Sequence, residues 1–90
     1  MTFAKFKMGR LLSTPGVRLE IPPEDVRDAL ARHCKGDWGT VCEADREENE
    51  LSLKEGFRLV SEYLSTSGQR FWIITEADRE STTVLLPEEY

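Results

Sequence analysis

No stretch of this sequence is apolar for anything like the roughly eighteen residues that a bilayer span requires. The segment Met1 to Arg10 is broken by Lys5, Lys7 and Arg10 and lacks the continuous apolar run of a signal peptide. Both absences lead to the expectation of a cytoplasmic protein that makes no membrane contact. Cysteine is scarce: Cys34 and Cys42 are the only 2, whereas small secreted domains usually carry several paired cysteines. Their spacing does not forbid a disulfide, which geometry decides, and free thiols are expected. There is 1 histidine, His33, and no C-x-x-C pair, so no standard zinc pattern is present and neither metal nor cofactor is expected. A chain of 90 residues also has no surplus for a second core, which points to a single domain over 1–90 without a large buried cleft.

What is present is charge, unevenly placed. Charged residues make up 32% of the chain, against about a quarter in an average domain. Residues 1–42 carry a net +2 and residues 43–90 a net −7, for a total of −5. The acid is densest in Glu43, Asp45, Glu47, Glu48 and Glu50, interrupted only by Arg46 among charged residues. Such a run repels phosphate and attracts basic protein surfaces, which disfavours nucleic acid unless the N-terminal basic residues converge elsewhere.

The patterning predicts an α+β fold. From Phe3 to Leu12 apolar and basic residues alternate loosely, as in an extended segment or short strand. Ser13-Thr14-Pro15-Gly16 reads as a turn, and Val17 with Leu19 as a second extended piece. Pro22-Pro23-Glu24-Asp25 opens the main helix, predicted over 23–35, because proline and acids suit a first turn. Val26, Ala29, Leu30, His33 and Cys34 line one face of it, and Gly36 ends it in a left-handed cap. Gly36-Asp37-Trp38-Gly39 is a turn able to fold the indole over the core. Asp45-Arg46-Glu47-Glu48 resembles a capping box for a short second helix over 46–54, stopped by Gly56. The period then changes to two, giving a three-stranded antiparallel meander over 57–65, 69–76 and 81–86, covered on one face by the main helix. Glu-Ala-Asp-Arg-Glu occurs at 43–47 and again at 76–80 in unlike contexts, so no repeat is inferred.

His33, Cys34, Asp37 and Cys42 are the densest set of ligand-type side chains. Adjacent residues on a helix diverge by about 100°, so His33 cannot readily serve Cys34 as a base. The plainer reading has Cys34 packing as a small hydrophobe and a cationic His33 flanking the helix end. Catalysis is not expected. Asp78 reads as a turn-maker that bonds its own backbone, with Arg79 paired to a nearby acid. Glu43, Asp45, Glu47, Glu48 and Glu50, with Glu76 and Asp78, are the candidate partner-binding residues.

Taken together, Thr14-Pro15-Gly16, Arg32-His33, Gly36-Asp37-Trp38-Gly39, Asn49, Gly56, Arg58, Tyr63, Trp72 to Arg79, Thr82-Thr83 and Leu86 to Tyr90 resemble a family of small bacterial proteins described as plasmid-related. Its members are carried by plasmids, prophages and integrative elements, and the family brings no catalytic residues to transfer. The resemblance implies the setting of a mobile genetic element, where short acidic proteins inhibit host-defence complexes in the manner of anti-CRISPR and antirestriction proteins. The expectation is therefore a non-enzymatic binding protein whose partner has a basic surface, such as a CRISPR or restriction subunit. A nucleic-acid-binding accessory protein using Lys5, Lys7, Arg10, Arg18, Arg32 and Lys35 is the alternative, and an enzyme or metal protein centred on His33, Cys34 and Cys42 a third. The protein is expected as a monomer, or as a homodimer paired through an exposed strand edge at 57–65 or 81–86.

Overall fold

The computed structural model describes residues 4–90, so the Phe3 end of the first extended segment lies outside the described residues. In chain order the elements are β1 (Arg10–Ser13), α1 (Pro15–Glu20), α2 (Pro23–Cys34), α3 (Glu43–Glu55), β2 (Leu59–Leu64), β3 (Arg70–Thr75), β4 (Ser81–Leu85) and a 3₁₀ turn (Pro87–Glu89). The antiparallel meander β2-β3-β4 forms as the alternation predicts, and α2 covers it. Leu59, Ser61, Tyr63, Phe71, Ile73, Thr75, Thr82 and Val84 are buried on the sheet's inner face. They meet Val17 and Ile21 with Ala29 and His33 of α2. The α2 stop is also as expected: Gly36 takes φ 83°, and the amides of Gly36 and Asp37 bond back to the carbonyls of His33 and Arg32.

The sheet has four strands rather than three, in the order β1-β4-β3-β2, with β1 parallel to β4. Strand β4 is thus interior, and its edge is taken by the chain itself. The other expected edge, β2, is engaged as well. Trp38 and Thr40 pair with Glu62 across a parallel bridge at Gly39, with Thr40 N donating to Glu62 O at 2.8 Å and Glu62 N to Trp38 O at 3.2 Å. One step away the Asn49 amide acts as a short substitute strand: its Nδ2 donates to Val60 O at 2.8 Å and its Oδ1 accepts from Val60 N at 3.1 Å.

Two local expectations are overturned. The predicted turn at Ser13 to Gly16 and the extended piece at Val17 and Leu19 are the start and body of helix α1. Thr14 caps it, Pro15 occupies its first position, and Glu89 from the far end of the chain accepts from Thr14 Oγ1 and from Gly16 N. A first-turn proline serves a turn and a helix start equally well, and here that distant carboxylate supplies acceptors to the helix. Helix α3 begins at Glu43, before the expected box: its cap is Cys42, so Asp45 sits inside the first turn with Glu43, where both complement the helix dipole. Gly56 does end it, at φ 80°.

Removing the Asn49 amide leaves the Val60 N–H and C=O without partners, each a cost of about 1 kcal/mol or more. Asn49→Ala is therefore expected to lower stability by roughly 2 kcal/mol in urea unfolding and to speed hydrogen exchange of the Val60 amide. Unchanged protection of that amide would show that Asn49 does not close the edge.

Candidate functional site

Helix α3 turns the linear acidic run into distinct groups. Asn49 and Ser52 face inward. At about 100° per residue, Asp45 falls on the same line as Asn49 and Ser52 one turn nearer the helix start, with Glu48 to one side of it, whereas Glu43, Glu47 and Glu50 lie on the opposite, outward side and Ala44 and the half-exposed Leu51 between them and Glu48. The five acids therefore do not form one face. Glu50 Oε2 accepts the Trp38 indole N–H at 2.8 Å, and Glu43 is bonded to Arg46 at 2.7 Å. Among the described residues, no ion pair or side-chain hydrogen bond engages Asp45, Glu47 or Glu48.

Asp45 and Glu48 instead rim a groove on the sheet's outer face. One depression of about 320 Å³ is lined by Val41, Asp45, Glu48, Asn49, Arg58 and Val60. A second, of about 370 Å³, is lined by Thr40, Val41, Cys42, Asp45, Val60, Glu62 and Trp72. They share Val41, Asp45 and Val60 and so form one continuous feature with an apolar floor. Glu62 is held rigidly in it, its two oxygens accepting from Trp72 Nε1 at 2.9 Å and from Thr40 Oγ1 at 2.8 Å. Burial works to raise its carboxyl, but those two bonds and the charge of Arg70 outweigh it and hold the group below its ordinary range, so it stays ionised.

Glu76 and Asp78, the other candidate contacts, lie apart from the α3 acids in their roles. Glu76 is 3.6 Å from the Arg58 guanidinium, which also donates to the Tyr90 hydroxyl at 2.6 Å. Tyr90 packs edge-on against Trp72 at 5.6 Å and so ties the end of the chain to the groove's aromatic residue. Asp78 makes its turn as expected, accepting from Glu80 N at 2.9 Å. Among the described residues Arg79 pairs with no acid. Its guanidinium donates to the carbonyls of Ser52, Phe57 and Glu76, which fastens the end of α3 to the β3-β4 turn.

The histidine reading is also corrected. His33 is completely buried between α2 and the sheet, with Nδ1 bonded to Ser61 Oγ and Nε2 to Thr75 Oγ1. Proton accounting fixes the tautomer. Thr82 donates its hydroxyl to Met8 O, so Thr75 must donate to Thr82, and His33 Nε2–H must donate to Thr75. Nδ1 then accepts from Ser61. Burial, with the charge of Arg79 as the smaller cause, pushes the imidazole down to about 4, so it is neutral rather than a cation at the helix end. Cys34 is half-buried and Cys42 exposed, both as free thiols. Among the described residues no three His, Cys, Asp or Glu side chains are grouped to hold a metal ion, and no helix is long and apolar enough to cross a membrane.

The fold and groove define a small α+β protein with an acid-rimmed surface groove. No protein-family model, curated protein or solved structure matches this chain. What sequence reasoning missed here is the groove itself, since Glu62 and Trp72 face each other across β2 and β3 but Val41 joins them only through the pairing at the β2 edge.

An unfolded histidine takes up its proton near pH 6.5, while folded His33 resists until about pH 4. The unfolded state thus binds more protons between those values, so stability present at neutral pH is lost progressively as pH falls from about 6.5 to about 4, by roughly 3 kcal/mol. Urea unfolding at pH 7 and pH 4 should show a pH dependence smaller by that amount in His33→Gln, whatever its absolute stability. Nitrogen-15 spectra of the wild type should show the Nε2–H tautomer. An equal pH dependence in both proteins would exclude His33 as the source.

Proposed function

We propose that this is a small non-enzymatic binding protein of a bacterial mobile element that docks on the basic surface of a protein partner and thereby inhibits a host-defence complex of the CRISPR or restriction kind. The observation that carries the reading is the set of carboxylates on α3, Asp45, Glu47 and Glu48, which are exposed and, among the described residues, engaged in no ion pair. Un-neutralised charge of one sign, beside an apolar groove, supports recognition of a complementary basic surface. The mobile-element setting comes from the motif resemblance.

The nucleic-acid alternative gains no specific support from the basic residues. Arg32 is bonded to Asp37 at 2.8 Å and Lys7 lies 3.9 Å from Glu80, so two of its six cations already face acids. Such exposed pairs contribute little to stability, but they reduce the field available to phosphate.

Affinity capture of the tagged protein from a bacterial lysate, after nuclease treatment and with mass spectrometry of what remains bound, tests the reading. The comparison protein carries Glu43→Lys, Asp45→Lys, Glu47→Lys and Glu48→Lys. Glu50 is left in place because it holds Trp38. The expected result is a discrete defence-complex subunit retained by the wild type and lost by the variant, with unchanged circular dichroism. Equal retention by both would remove the acidic interface, and recovery of nucleic acid alone in untreated samples would favour the alternative.

A further inference from the structure

Resting on the docking reading above, we infer that the groove beside α3 receives a single arginine side chain from an exposed loop of the partner. The two adjoining depressions, of about 320 and 370 Å³, have an apolar floor of Val41 and Val60 with Trp72 on one wall. A long aliphatic stem loses little by lying on such a floor while its head stays polar. A lone anion or a short polar side chain would leave that floor uncovered.

The rim then selects the head. Asp45, Glu48 and Glu62 bring three carboxylates to the groove, against one guanidinium, Arg58, that is already bonded to Tyr90 and placed beside Glu76. Glu62 is ionised and held still by Trp72 and Thr40, so it needs no rearrangement to accept a donor on its remaining lone pairs. A planar guanidinium can bond a carboxylate through two parallel donors and stack on an aromatic ring. An ammonium does the first only as a point charge and the second less well. Phosphate-bearing ligands are repelled by the same three acids. The occupant that satisfies stem, fork and charge together is arginine, carried by protein.

The test uses the intact isotope-labelled protein and a blocked glycine–arginine–glycine peptide, followed by NMR. Saturable shifts are expected at the Trp72 indole N–H and at the amides of Val41 and Val60, with a dissociation constant on the order of millimolar for so small a ligand. The citrulline peptide, alike in shape but uncharged, should bind at least about tenfold more weakly, as should the Asp45→Asn, Glu48→Gln protein. The exposed-flank variant Glu43→Gln, Glu47→Gln should bind the arginine peptide like the wild type. Equal affinity for a lysine peptide would overturn the choice of arginine. Non-saturating shifts, or shifts confined to the Glu43 and Glu47 flank, would overturn the groove site. The two readings fail separately. A captured partner that is lost on reversing Glu43 and Glu47, with a silent groove, removes the arginine site and leaves docking standing; groove binding with no captured partner does the opposite.

Discussion

The pairing of Gly39 and its neighbours with the edge of β2 is the contact on which the rest of the arrangement depends. A Cβ at position 39 would stand 1.8 Å from the Glu62 carbonyl oxygen, and the backbone there takes φ 76°, so glycine is required twice over. That close approach lets Thr40 and Trp38 bond to Glu62. The same turn is held from the other side, where Asp37 accepts from Arg32 at 2.8 Å and its carbonyl from the Tyr63 hydroxyl at 2.6 Å. From this anchored turn the chain delivers Val41 and Cys42 to the outer face and starts α3 beside β2. Groove, helix and edge closure share one cause.

On the inner face, α2 is fixed by more than apolar packing. The chain from Ser61 through His33, Thr75 and Thr82 to Met8 O crosses the helix, three segments of sheet and the N-terminal segment. Buried polar groups are costly unless satisfied, and among the described residues no buried side-chain nitrogen or oxygen lacks a partner. A satisfied network of this kind resists sliding or rotation of α2, because either movement would strand several groups at once. An all-apolar core of this small size would permit more packings of nearly equal energy.

Much of the fold is legible in the sequence where the signal is local. The period-two alternation of Leu59, Ser61 and Tyr63 and of Phe71, Ile73 and Thr75 marks the buried face of the meander, and the apolar stripe of α2 and its glycine stop are equally direct. Readings fail where a distant partner decides. Val17 and Leu19 resemble alternate strand positions, yet Val17 is buried and Leu19 is 85% exposed on a helix whose start is bonded by Glu89. Strand β1 owes its place to β4, far along the chain. The pentapeptide Glu-Ala-Asp-Arg-Glu makes the point most sharply. At 43–47 it opens a helix; at 76–80 it turns between β3 and β4, with Arg79 at φ 59°. The intrinsic preferences are identical, so the flanking strands and the carbonyls that Arg79 serves determine the outcome.

The same principle applies to the acidic run. In the linear chain its five carboxylates look interchangeable. In the fold Glu50 is a structural acceptor for Trp38, Glu43 is neutralised by Arg46, Glu47 stands in solvent, and Asp45 and Glu48 overlook an apolar floor. A diffuse negative field raises encounter rates with any basic surface, but it discriminates poorly and is screened within about 10 Å at moderate salt. Discrimination between basic partners needs charge set beside a surface of defined shape, where a poorly fitting side chain leaves apolar area uncovered or a carboxylate unanswered. In the docking reading, the position of two acids at the groove therefore matters more than the net charge of −5. That position follows from the turn at Gly39.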